Sequence, residues 1–141
     1  MSRQIINPES APDSSSYSYN HAIVADGTLY MSGQVGMDGN RNLAGEDIAS
    51  QARQAFDNVE AILAEVDRTL ADVVKVTAHI VDPQSRFEGY HTVWEERFDE
   101  PYPCHTVLGV EQLAGEEYLI ELEVEVPVDG SAGSSQGSDD E

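Results

Sequence analysis

Cys104 and His105 are adjacent in the sequence and form the first candidate pair for nucleophilic chemistry. A histidine activates a thiol only when the two side chains lie within hydrogen-bond distance. The apolar residues that follow predict a strand, in which adjacent side chains point to opposite faces of a sheet. The pair therefore favours a buried or inert cysteine over a nucleophile.

The histidines were considered as ligands of a metal ion. No pair of histidines has the helical i, i+4 or short-loop spacing of a metal site with cysteine or acid support. The sequence therefore predicts no metal site. We expect structural roles for His21, His79 and His91, whereas His105 stays open between a ligand contact and a polar filler.

Two glycines lie in the segment Met31-Ser-Gly-Gln-Val-Gly36. A dinucleotide-binding loop needs a third glycine followed by a helix, and a P-loop needs Gly-Lys-Ser/Thr. The segment has neither the third glycine with its helix nor the Gly-Lys-Ser/Thr sequence. The glycines are better explained by close approach of backbones within a strand.

The clearest element that must position these residues is a helix. Apolar residues recur at helical spacing from Ile48 to Val66, and Asp47 is a plausible N-cap. A second amphipathic helix is predicted from Phe87 to Phe98. Strands are predicted at residues 19–24 and 28–35, joined by an Ala-Asp-Gly turn, and at 72–81, 105–110 and 118–126.

The predicted order is β-β-α-β-α-β-β, in which two helices cover one face of a mixed sheet as a two-layer α+β domain. The other face mixes apolar and ionisable side chains, as in the last strand, where Glu121, Glu123 and Glu125 alternate with apolar residues. Such a face suits burial against another subunit, with sites at the seams.

The domain is predicted to span residues 17–128. Residues 1–16 are predicted to be an irregular leader, and residues 129–141 a disordered acidic tail rich in Gly and Ser. No apolar run is long enough to cross a membrane, and no signal peptide is recognised, so we expect a cytoplasmic protein.

The charge is strongly acidic, with 27 Asp and Glu against 7 Lys and Arg, a formal net charge of −20. Binding of nucleic acid needs clustered cations, and a basic membrane-surface helix needs them too, so both are excluded. A single lysine among so many carboxylates is typical of proteins from salt-loving organisms. An acidic mesophilic protein and a protein that docks on a basic partner are the alternatives.

Several blocks resemble the RidA/YjgF family, and together they extend almost unbroken from Tyr19 to Val126. They are Tyr19-Asn-His-Ala22, Met31-Ser-Gly-Gln34, the segment 52–62, the segment 73–82, Pro103-Cys-His-Thr-Val107 and Ile120-Glu-Leu-Glu123. The resemblance implies the chorismate-mutase-like fold and a homotrimer with small-molecule pockets between subunits. It also implies hydrolysis of reactive enamines and imines to ketoacids and ammonia, with no cofactor.

The resemblance also implies roles for single residues. Glu121 matches the glutamate that positions the attacking water, Tyr19 the pocket tyrosine, Ser32 and Gly33 the pocket strand, and Val107 a residue whose carbonyl faces the water. The family's substrate-binding arginine is replaced by His105. Because an arginine binds a carboxylate through two parallel hydrogen bonds and histidine cannot, we expect a different substrate, with His105 at its polar end.

Three functions follow as hypotheses. The first is an imine or enamine hydrolase with an atypical substrate. The second is a non-catalytic ligand binder that uses the same seam between subunits, and the third is a protein-protecting oligomer. Glu121 can also be interpreted as one of three solvated glutamates on an acidic strand. Only its match to the family's glutamate favours a role in the site.

Overall fold

The computed structural model describes residues 3–128, and within that range seven strands and two α-helices form one mixed sheet with a helical layer. The elements are β1 (Gln4–Ile6), β2 (Ala22–Ala25), β3 (Thr28–Met31), β4 (Gln34–Val35), α1 (Ile48–Ala64), β5 (Lys75–Val81), α2 (Pro83–Arg97), β6 (Cys104–Val110) and β7 (Ile120–Pro127). The predicted α+β class and two-layer arrangement are confirmed. The predicted tail, residues 129–141, lies outside the described residues.

The strands are ordered β1-β2-β3-β7-β5-β6, and β4 pairs with β7. Only β5 and β6 run parallel, because α2 connects them as a crossover, and the remaining pairs are antiparallel. The β2–β3 hairpin turns at Asp26 and Gly27, whose φ angles of 54° and 76° fit the tight two-residue turn that the sequence predicts.

Helix α1 begins where the sequence predicts, because the Asp47 side chain accepts a hydrogen bond of 3.0 Å from the backbone N–H of Ser50. Its apolar face is buried in the core that it forms with α2 and the sheet. In the described residues neither helix combines the length and apolarity needed to cross a bilayer.

The sheet has one buried and one open face. On β7 the apolar residues that face the helices are almost fully buried and alternate with Glu121, Glu123 and Glu125 on the other face, as predicted. The pairing registers place Ile5, Tyr30 and Leu108 on this open face, and each is 45–59% exposed. We refer to it as the outer face.

Two predictions about the strands are wrong. The leader is not wholly irregular, since Gln4–Ile6 pairs with β2 and buries Ile6. The predicted strand 28–35 is broken at Ser32 and Gly33. At the break the N–H of Ser32 still donates to the carbonyl of His21, at 2.8 Å, and its hydroxyl donates to the carbonyl of Asn20, at 2.7 Å.

The strand predicted at residues 72–81 begins later than expected, at Lys75. A short 3₁₀ turn, Leu70–Asp72, precedes it and is closed by reciprocal hydrogen bonds between Thr69 and Asp72. This turn prevents the extended chain from starting before Val73, and the backbone of Val74 already bonds to Glu125 and Cys104.

Candidate functional site

A cavity of about 460 Å³ opens beside the break between β3 and β4. This volume lies within the range of small-molecule sites. Its walls come from four parts of the chain: residues 17–19, residues 32–41, residues 114–118 and Glu121 on β7. The strand break therefore helps to form the site.

Glu121 is the carboxylate of this cavity. It lies on the outer face, directly across from Val35 of β4 and His79 of β5. Partial burial raises the pKa of Glu121, a nearby His79 opposes this rise, and Glu123 adds to it. His79 itself contacts Glu123, with 2.8 Å between Nε2 and Oε2. A raised pKa makes the Glu121 carboxylate a stronger base, which is better able to accept a proton from water.

Gly33 provides the space that Glu121 occupies. A Cβ atom at this position would lie 2.5 Å from Cδ and 2.6 Å from Cγ of Glu121, which is closer than atoms can approach. A side chain at this position would therefore displace the Glu121 side chain from where it lies. Gly33 thus leaves room for the carboxylate at the cavity wall.

Tyr19 and Ser32 complete the predicted cavity wall. The Tyr19 ring packs edge-on against His21, with 5.5 Å between the ring centroids, and burial raises the pKa of Tyr19. The Ser32 hydroxyl donates to the carbonyl of Asn20, so its oxygen can only accept a hydrogen bond from any further partner.

His21 is a buried structural residue, as expected. Its Nε2 lies 2.8 Å from the Pro12 carbonyl, and its Nδ1 lies 3.2 Å from Nε2 of Gln34. Since the carbonyl can only accept and the amide nitrogen can only donate, the proton is on Nε2. This arrangement connects the leader to β4 behind Tyr19.

His105 is not brought to this cavity. It faces the helices, where its ring stacks on Trp94 with 3.5 Å between centroids and 1° between planes, and its Nε2 lies 2.8 Å from the Tyr90 hydroxyl. Burial lowers the pKa of His105 to about 4, and the charges of His91 and Lys75 add to the effect. At neutral pH the imidazole is therefore uncharged.

Val107 and Cys104 also lie outside the cavity lining. Val107 packs against the core. It lies two residues after His105 on β6 and therefore on the same face of the sheet. Cys104 is exposed and pairs in register with Lys75, whereas His105 pairs with Val76. The two side chains point to opposite faces, as predicted, so the imidazole cannot activate the thiol.

The sequence analysis missed several residues that line the cavity, above all Arg41, Tyr17 and Tyr118. Arg41 follows the segment Asp38-Gly-Asn40 and is one of only seven basic residues. The scarcity of basic residues in this chain was the only feature of the sequence that could have drawn attention to Arg41. Within residues 3–128, no cluster of three or more His, Cys, Asp or Glu residues could hold a metal ion.

Comparison with known proteins places this geometry in a family. The profile of the family described as Endoribonuclease L-PSP matches residues 8–128. The RutC family protein YjgH of Escherichia coli is 39% identical over 112 residues, which cover 77% of this chain and 83% of that protein.

Two further relatives carry informative names. A 2-iminobutanoate/2-iminopropanoate deaminase of Dermatophagoides farinae is 33% identical over 67% of this chain and 74% of its own length. The crystal structure of RidA from an Antarctic Psychrobacter superposes with a TM-score of 0.81 and 31% identity, and the match covers 89% of this chain and 99% of that one. The profile, the relatives and the fold agree, and the chain belongs to the endoribonuclease L-PSP family, which is the RidA/YjgF family that its sequence blocks resemble.

Proposed function

We propose that the protein hydrolyses an imine, an enamine or a related compound to a carbonyl product and ammonia. The observation that carries the proposal is the half-buried Glu121 carboxyl, which has a raised pKa and lines a cavity of ligand size. The 2-iminobutanoate/2-iminopropanoate deaminase among the relatives supports the same class of reaction.

In the proposed reaction Glu121 orients a water molecule and accepts one of its protons as the water oxygen attacks the carbon of the C=N bond. The proton is then returned to the nitrogen of the tetrahedral intermediate. The hydroxyl proton of this intermediate then passes to the same nitrogen as the C–N bond breaks, so that nitrogen leaves as ammonia and the C=O bond of the carbonyl product forms. Tyr19 and Ser32 shape the cavity around the reacting carbon.

We also propose that the protein assembles as a homotrimer with its pockets between subunits. The outer face supports this proposal, because it exposes Ile5, Tyr30 and Leu108 among ionisable groups. A neighbouring subunit would cover these side chains and close the open side of the cavity.

We propose that the substrate is held differently from the usual amino-acid-derived imines, because His105 stands where the family resemblance implies an arginine. The imidazole is held against Trp94 and Tyr90 and is neutral above about pH 4, so it cannot replace a guanidinium. The same observation favours a second candidate, a protein that binds a ligand at this seam without turnover.

The test is ammonia release from an imine generated in situ by an oxidase, with the spontaneous rate subtracted. Glu121→Gln should reduce the enzyme-dependent rate at least about a hundredfold, since general acid–base catalysis contributes that much. Glu125→Gln is the matched control, because it neutralises an exposed glutamate of the same strand and face outside the cavity lining. Light scattering on each variant reports whether the assembly is retained.

If wild type and Glu121→Gln release ammonia at the same rate, Glu121 does not position the water and the proposed mechanism is wrong. If wild type is inactive on every imine tried and yet binds a ligand, the second candidate takes its place.

A further inference from the structure

The cavity contains one basic side chain, Arg41, among the described residues that line it. Other arginines are paired with carboxylates: Arg53 with Glu96 at 2.8 Å, and Arg97 with Glu60 at 2.7 Å. Arg41 has no carboxylate oxygen within 4.0 Å in residues 3–128. No carboxylate therefore forms an ion pair with Arg41, and the Asp13 carboxylate interacts with its charge only from a longer distance.

The contacts of Arg41 hold its guanidinium through neutral groups. Its Nη2 donates to the backbone carbonyl of Asp13 at 2.7 Å and to the Ser16 hydroxyl at 3.4 Å, and the guanidinium carbon lies 5.3 Å from the centre of the Tyr17 ring. The Asp13 carboxylate instead accepts from Ser15, at 2.7 Å from its hydroxyl and 3.0 Å from its N–H.

Donors of the guanidinium remain unused. Both hydrogen bonds leave from Nη2, and neither Nη1 nor Nε has an acceptor within residues 3–128. A guanidinium with unused N–H groups in a cavity is suited to a carboxylate, which accepts charge-assisted hydrogen bonds.

The loop that carries Arg41 is well fixed. The Asp38 carboxylate accepts hydrogen bonds of 2.9 Å from the N–H groups of Asn40 and Asn42, and the N–H of Arg41 donates to the Asp38 carbonyl. A bridge between Met37 and Leu43 closes the base of the loop. A side chain on such a loop binds a ligand with little loss of conformational entropy.

We propose that Arg41 binds a carboxylate group of the ligand, a role that His105 cannot fill. This inference rests on the proposed function and names the substrate class: a small imine or enamine that also carries a carboxylate. The cavity then offers one group of each sign, with Glu121 near the nitrogen-bearing carbon and Arg41 at the anion. The chain's net charge of −20 makes such a local cation necessary for an anion to bind.

A merely structural role for Arg41 makes a different prediction. If Arg41 only joins its loop to the leader through Asp13, its removal should affect every substrate alike. If it binds the anion, the effect should depend on whether the substrate carries a carboxylate. A pair of substrates that differ in this group separates the two roles.

The experiment compares wild type, Arg41→Gln and Arg41→Lys on two imines. The first is the imino acid that an amino-acid oxidase produces from 2-aminobutanoate. The second is the imine without a carboxylate, here called neutral, that an amine oxidase produces from propylamine. Arg41→Gln should lower kcat/KM about tenfold or more on the imino acid, through KM, and less than about twofold on the neutral imine. Arg41→Lys, which keeps the charge, should fall between. Arg53→Gln is the control, since it removes an exposed arginine of α1.

Binding of the stable keto acid 2-oxobutanoate, followed by calorimetry with 2-butanone as the neutral comparison, keeps the two proposals distinguishable. If wild type hydrolyses neither imine but binds the keto acid, and Arg41→Gln abolishes that binding, the hydrolase proposal fails and the role of Arg41 stands. Equal effects of Arg41→Gln on both substrates, no effect on either, or a wild type that binds no keto acid and hydrolyses no imino acid would each overturn it.

Discussion

At the residue scale, burial shifts the pKa values of two groups in opposite directions. It raises the pKa of Glu121 and lowers the pKa of His105, because desolvation disfavours the charged form of either group. The consequence differs with location. At Glu121 the effect produces a carboxyl suited to proton transfer in the cavity, whereas at His105 it produces a neutral ring that belongs to the packing of β6 against α2.

This location predicts how stability depends on pH. The folded pKa of His105, about 4, lies below the ordinary value of 6.5, so the unfolded chain binds the proton more readily. The contribution of His105 is therefore fully present above about pH 6.5 and is lost as the pH falls towards 4. The free energy of unfolding, measured by urea denaturation, should fall more steeply over this window in wild type than in His105→Phe.

The phenylalanine variant keeps a ring against Trp94 but cannot be protonated, which makes it the matched comparison. It also leaves the Tyr90 hydroxyl without its partner, a cost that does not vary with pH in this range. Parallel stability curves for the two proteins between pH 7 and 4 would contradict a buried, neutral His105.

At the scale of elements, the leader positions one wall of the cavity. Asn7, which follows β1, accepts a hydrogen bond of 2.7 Å from the N–H of His21 and donates one of 3.0 Å to the Asn20 side chain. These contacts hold the chain just before β2, where Tyr19 enters the cavity. Asn7 thus connects the end of strand β1 to the segment that carries Tyr19.

Asn7→Ala should destabilise the protein by about 1 kcal/mol or more, because the N–H of His21 loses its acceptor. It should also raise KM for the imine, since Tyr19 is less firmly held. Asn7→Asp, which keeps the acceptor and loses the donor, should be closer to wild type in both measurements. Urea denaturation and steady-state kinetics on the same preparations test this, and an unchanged KM in Asn7→Ala would separate the leader from the site.

The same elements explain what could be predicted from sequence. Helix α1 and strand β7 were predictable because their apolar residues recur over many positions. Strand β1 was not, since three residues are too few for a periodic signal and its partner β2 lies sixteen residues further on. Arg41 was missed for a related reason, because its neighbours Asp13 and Tyr17 meet it only after folding.

At the scale of the whole molecule, charge is the dominant feature. At most seven of the 27 carboxylates can be matched one to one with a basic side chain, and pairs such as Arg53–Glu96 are exposed. Exposed pairs contribute little to stability, whereas repulsion among the remaining carboxylates acts over the whole surface. A trimer, if formed, would bring three such chains together and increase that repulsion.

Salt should therefore stabilise this protein. Raising KCl from 0.1 M to 2 M shortens the Debye length from about 10 Å to about 2 Å, which screens repulsion between carboxylates more than it weakens the few ion pairs. We expect the Tm to rise by several degrees, and sorbitol at equal osmolality to raise it less, because sorbitol excludes itself from the surface without screening charge. A Tm that is insensitive to KCl, or that responds equally to sorbitol, would mean that the acidic surface does not destabilise the fold. That result would favour the alternative in which this surface docks on a basic partner.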